Sequence, residues 1–245
     1  MEIIVQKTSY YNTERFFEEA ILEPYVSGVA FNLIFSRDHK ILIFSPNTSD
    51  SINIMNLQDI TSTMDTSLVL DLEDALTRIK RSGKNLKVLL NLIPISYDII
   101  NDASVLQLAT LNQEYMKELE KIVKEYTDLD ISLHSISRNL LVVADEIFSH
   151  SLGFFIYGGD LNLMDVDYYV FTTNMIDDTI FEQEIARDKG IYLQLIGSTD
   201  LALVVNHYDS KYSTALSQKV LPHLGFIVNQ PNLIYRLLAP SQKFE

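Results

Sequence analysis

Short runs of consecutive apolar residues alternate along the chain with longer segments whose apolar positions recur every three or four residues. That is the pattern of buried strands alternating with amphipathic helices. Glu2–Val5 predicts a first strand and Thr13–Leu22 a helix. Val26–Ser36 predicts the next strand, with Lys40–Phe44 as a short hairpin partner across Arg37-Asp38-His39. A polar, irregular stretch runs from Pro46 to Ser67. Asp71 is placed to cap a helix reaching Arg81, which Ser82-Gly83 ends with the glycine expected there. Leu86–Ile93 reads as a buried strand closed by Pro94, and Asp102–Tyr126 carries Val105, Leu108, Met116, Leu119, Ile122, Val123 and Tyr126 at helical spacing. The remaining units are Ile131–Ser135 with a helix over Arg138–Ser149, Gly153–Tyr157 with little helix after it, and Tyr168–Thr172 with a helix over Asp178–Asp188, stopped by Gly190. Last come Ile191–Ile196 leading into Thr199–His207, and Gly225–Val228 before a helix over Asn232–Leu238.

The strands are strongly apolar rather than alternating, as expected where helices cover a mostly parallel sheet. Eight principal strands follow one another without a Pro/Gly/Ser-rich linker. The economical reading is one (β/α)8 TIM barrel over residues 1–245, with a small reduced insertion after the third strand. A doubly wound open sheet gives a similar linear pattern.

Composition narrows the function classes. The net charge of −14 argues against a nucleic-acid groove or an anionic membrane surface, both of which need clustered Lys and Arg. With no cysteine, a disulfide scaffold, a thiolate zinc site and a cysteine nucleophile are excluded. No apolar stretch approaches the roughly 18 residues that span a bilayer. The first residues, Met1 to Lys7, read as a strand and not as a signal sequence, so a cytoplasmic protein is expected.

Chemistry-bearing clusters are sparse. His39, His134, His150, His207 and His223 show no i, i+4 pairing or His-Glu-x-x-His spacing. Asp71, Glu73 and Asp74 sit where a helix dipole favours carboxylates, and Asp145-Glu146 falls on a solvated helix face. Tyr157-Gly158-Gly159-Asp160 lacks the further glycines and lysine of a phosphate loop and reads as a turn. Asp160, Asp165 and Asp167 form the most suggestive acidic group, expected in a loop on the mouth side. A calcium loop would instead need Asp160, Asn162 and Met164 as ligands. No Gly-x-Ser-x-Gly elbow is present.

Several segments, taken in order, resemble the glycerophosphodiester phosphodiesterase family. Its opening His-Arg-Gly and Pro-Glu-Asn-Thr regions read Gln6-Lys7-Thr8 and Tyr10-Tyr11-Asn12-Thr13, followed by Phe17-Glu18-Glu19-Ala20. Its Glu-x-Asp-Val strand is similar in shape to Ala30-Phe31-Asn32-Leu33, and the His-Asp ending the following strand falls on Ser45-Pro46. Its Thr-Leu-Glu-Glu-Val-Leu resembles Asp71-Leu72-Glu73-Asp74-Ala75-Leu76, and its Ile-Glu-Ile-Lys strand becomes Leu90-Asn91-Leu92-Ile93. Its Ser-Ser-Phe-Asp strand end resembles His134-Ser135-Ile136-Ser137, and its Gly-Ile-Ile-Thr-Asp-x-Pro resembles Gly225 to Pro231. No motif is intact; their order and spacing carry the resemblance.

The resemblance implies a (β/α)8 barrel with its pocket at the C-terminal ends of the strands. It also implies that the family's metal carboxylates correspond to Ala30, Asn32 and Asn91, and its acid–base histidines to Gln6 and Ser45. Amide oxygens supply no charge to offset the dehydration of Mg²⁺ or Ca²⁺, and Gln and Ser do not titrate near neutrality. The expectation is therefore a catalytically inactive barrel with no metal site, whose mouth is built from Lys7, Asn32, Ser45, Asn91, His134, Gln194 and Asn229. Such a mouth suits a polyol, a sugar or a phosphate-bearing small molecule held without a cofactor; a protein partner is the other binding option. The alternative is a divergent phosphodiesterase, Mg²⁺- or Ca²⁺-dependent, with groups relocated to Lys7, His134 or Asp160.

Overall fold

The computed structural model describes residues 2–7, 13–36, 40–44, 69–95, 105–156, 164–172, 188–195 and 224–238. The polar stretch from Pro46 to Ser67, and the helices expected over Asp178–Asp188 and Thr199–His207, lie outside these residues but for Asp188.

The strands are β1 (Glu2–Gln6), β2 (Gly28–Phe35), β3 (Ile41–Phe44), β4 (Val69–Asp71), β5 (Lys87–Leu92), β6 (Asp130–Ser135), β7 (Ser151–Ile156), β8 (Tyr168–Thr172), β9 (Gly190–Leu195) and β10 (Leu224–Val228). The described helices are α1 (Thr13–Leu22), α2 (Leu72–Ser82), α3 (Val105–Lys124), α4 (Arg138–Ile147) and α5 (Pro231–Leu238). Local chemistry fixes their ends. At α2 the Asp71 carboxylate accepts from the Glu73 amide at 2.9 Å. Its stop is Gly83, which takes φ +68°, a conformation costly to any residue with a Cβ. Its apolar stripe, Leu72, Ala75, Leu76 and Ile79, is fully buried.

Eight parallel strands run β1-β10-β9-β8-β7-β6-β5-β2, and β1 also pairs with β2. Ile4 lies opposite Ile227 on one side and Gly28 on the other, so the sheet closes. That closure excludes the open doubly wound alternative. The distal end of β2 leaves the barrel to pair antiparallel with β3, which pairs antiparallel with β4, forming a small meander outside the ring.

Strand alternation sorts the core into two layers. Val5, Val29, Phe31, Val88, Leu90 and Leu133 face outward onto the helices. Ile4, Ala30, Leu89, Tyr168, Val170, Tyr192 and Ile227 fill the interior. The tyrosine rings fit because the neighbouring strands carry glycine opposite them. A Cβ on Gly153 would lie 2.3 Å from the Tyr168 ring, and one on Gly225 2.4 Å from the Tyr192 ring. Below them, at the N-terminal end, Lys87 Nζ donates to Glu2 at 3.0 Å and to Tyr192 Oη at 3.1 Å, and Tyr192 donates to Glu2. In barrels this end serves stability.

Two members of the acidic group expected on the mouth side lie at the other end. Asp165 and Asp167 directly precede β8 and so lie on the N-terminal rim. The Asp167 carboxylate accepts from the Leu152 amide at the start of β7 at 2.9 Å, and Lys189, just before β9, bridges Asp165 at 3.0 Å. They pin strand starts together. Asp160, like the rest of Tyr157–Asp160, lies outside the described residues.

Candidate functional site at the barrel mouth

At the opposite, C-terminal end the inward positions turn from apolar to polar. Above Ile4, Ala30, Leu89 and Ile227, one alternation further along each strand, stand Gln6, Asn32, Asn91 and Asn229. By the same alternation His134 follows Ser132, Thr172 follows Val170 and Gln194 follows Tyr192. The switch is local because the outward neighbours, Val5, Leu33, Leu92, Phe171, Leu195 and Val228, remain buried hydrophobes.

The amides form one chain. Gln194 Nε2 reaches past β10 and donates to Gln6 Oε1 at 2.9 Å. Gln6 Nε2 donates to Asn32 Oδ1 across a long 3.5 Å. Asn91 Nδ2 donates to the same Asn32 oxygen at 2.8 Å. The register that sets Asn32 opposite Asn91 then sets Asn91 opposite His134. His134 Nδ1 meets Tyr168 Oη at 3.3 Å. Burial alone lowers the imidazole to about pKa 3. Burial, reinforced by the nearby Asp167 charge, raises the Tyr168 phenol well above its usual value. Both groups are therefore neutral across the physiological range.

Lys7 follows β1, its amide donating to the Ala30 carbonyl at 3.0 Å. The side chain is 1% exposed, and burial lowers its ammonium from 10.5 to about 8. It is still mainly charged at pH 7.

Of the residues expected at the mouth, Asn32, Asn91 and Gln194 join one hydrogen-bonded chain, and His134 stands beside it in register. Lys7 and Asn229 follow strands at the same end. Ser45 lies outside the described residues. Gln6, the hub between Gln194 and Asn32, is singled out by the resemblance at an acid–base position but is absent from the expected mouth, as is Thr172. The Ile4/Gln6 and Val170/Thr172 alternation was the available signal for both.

The donor set does not fit a divalent cation. Protein sites for Mg²⁺ and Ca²⁺ use oxygen ligands that include carboxylates, with carbonyls and water completing the shell. Here the central oxygen, Asn32 Oδ1, already accepts two N–H groups, and the other members of the chain are carboxamides. Among the described residues no three His, Asp or Glu side chains gather into a metal-binding group.

No family model matches the chain, and no curated protein matches it in sequence. Solved structures do match in fold. A phosphodiesterase from Oleispira antarctica, determined in complex with its product sn-glycerol-3-phosphate, superposes with TM-score 0.69 at 13% identity, covering 98% of this chain and 97% of that one. A putative glycerophosphodiester phosphodiesterase from Galdieria sulphuraria gives 0.67 at 11% identity, with 96% and 97% covered. One from Silicibacter pomeroyi gives 0.66 at 10%, with 97% and 92% covered. The chain thus has the barrel architecture of the glycerophosphodiester phosphodiesterase structures along nearly its whole length. Among the described residues no helix is long and apolar enough to cross a membrane.

Proposed function

We propose that this chain is a catalytically inactive, glycerophosphodiester phosphodiesterase-like barrel that binds a phosphate-bearing polyol or sugar at its mouth without a metal ion. The observation that carries the reading is the amide chain Gln194–Gln6–Asn32–Asn91 at the strand ends. Metal-assisted hydrolysis at this position would need carboxylates for the cation and titrating groups for proton transfer. Each acid or base is worth about 10²- to 10⁴-fold in rate. Carboxamides supply neither. They do supply donors and acceptors together, which suits hydroxyl groups. Lys7, still charged at neutrality, complements one negative charge of a phosphate.

Neutral His134, in register beside Asn91 and against Tyr168 in the interior, offers no proton shuttle near pH 7. The rival reading, a divergent phosphodiesterase with relocated groups, is favoured by one observation: Lys7 titrates near pH 8, within reach of acid–base work. Titration calorimetry with glycerol 3-phosphate separates the two. Binding unchanged by EDTA or by added Mg²⁺ supports the metal-free reading. Binding that requires a divalent cation contradicts it.

A further inference from the structure

The hydrogen-bond polarity of the mouth goes one step further and depends on the mouth being the binding site proposed above. We infer that Asn32 is the specificity-determining residue of this site, and that it presents its amide N–H groups to an oxyanion. Its oxygen is already committed, accepting from Asn91 Nδ2 at 2.8 Å and from Gln6 Nε2 at 3.5 Å. An oxygen with two lone pairs and two donors has no capacity left for a cation or a ligand hydroxyl proton. What Asn32 retains is Nδ2 with two hydrogens, and among the described residues no acceptor lies against it. Asn32 is half-buried, so this donor is neither sealed in the core nor lost to bulk water.

The neighbours lock this orientation. Gln6 accepts from Gln194 through Oε1, which leaves its Nε2 to face Asn32. The donor direction therefore runs inward from both ends of the chain and converges on the Asn32 oxygen. Where a metal-dependent hydrolase needs lone pairs converging on an ion, the lone pairs here are met by neighbouring amides, and the donor left at Asn32 is its Nδ2. The group that fits is a phosphate or sulfate oxygen; hydrogen bonds to charged acceptors are the stronger kind.

Two variants test the assignment, with inorganic phosphate and glycerol 3-phosphate as probes. Asn32→Ala removes the donors without adding charge and is expected to weaken calorimetric binding of both probes at least tenfold. Asn32→Asp keeps an acceptor for Gln6 and Asn91, so its urea midpoint should match wild type while phosphate binding is lost. If wild type binds and Asn32→Ala binds equally well, the role of Asn32 is overturned and the proposed function stands. A large fall in the Asn32→Asp midpoint would mean that Asn32 donates to its neighbours, which also overturns it. If wild type binds neither probe, the proposed function fails, and this inference with it.

Discussion

His134 makes the interior of this barrel sensitive to acid in a way that can be worked out from its surroundings. The ring is 4% exposed, with Nδ1 against Tyr168 Oη, and burial lowers its pKa from 6.5 to about 3. In the unfolded chain the same imidazole titrates near 6.5. Between pH 6.5 and 3 the unfolded state therefore binds a proton that the folded state refuses, and stability falls as the pH falls. At pH 5 that difference in proton affinity amounts to about 2 kcal/mol, and at pH 7 to a few tenths. His134→Gln keeps a polar side chain able to meet Tyr168 but cannot titrate. Urea unfolding of both proteins at pH 7 and pH 5 gives the double difference. Wild type should lose about 2 kcal/mol more than the variant over that interval, whatever the variant does to packing. Other titrating groups act equally on both proteins and cancel. Equal losses would show that the ring is hydrated or protonated in the folded state. Its exclusion from proton transfer at the mouth would then have no basis.

Lys7 follows the same sign in the alkaline range. Its ammonium is lowered to about 8, so it costs stability while both states are protonated, and the cost fades as pH rises towards 10.5. Wild type should therefore gain on Lys7→Met by about 1 kcal/mol between pH 7 and 9.5, allowing for solvent screening. A stability difference that does not change over that interval would refute the burial of this charge. At Gly225, an added methyl meets the Tyr192 ring at 2.4 Å, and that ring is held by Glu2 and Lys87. Gly225→Ala should cost about 1–3 kcal/mol in urea unfolding, and an unchanged midpoint would mean that the ring is free to move.

Much of the barrel is legible in the chain because local rules write it. Asp71 and Gly83 mark the ends of α2 through a side-chain acceptor and a left-handed turn, and neither depends on distant contacts. Closure is different in kind. It rests on Ile4 meeting both Ile227 and Gly28, a long-range register with no local signature. The same division runs through the mouth. Asn32 and Asn91 are visible as polar residues breaking apolar strands, and one register brings them together. The bond from Gln194 to Gln6 passes over an intervening strand, so alternation shows the two amides but not their meeting. For Asp165 and Asp167 a loop position alone does not tell one rim from the other. In a parallel barrel, residues just before a strand sit at the opposite rim from those just after one, and both lie in the short run leading into Tyr168.

The most direct measurement is hydrolysis of a panel of glycerophosphodiesters by folded protein, with and without Mg²⁺ or Ca²⁺, following release of glycerol 3-phosphate. With carboxamides at the strand ends and His134 held neutral, the proposed function expects no release above the protein-free rate under any condition. Metal-stimulated turnover would contradict the inactive, metal-free mouth, and its survival in Asn32→Ala and Asn91→Ala would place the chemistry on other residues.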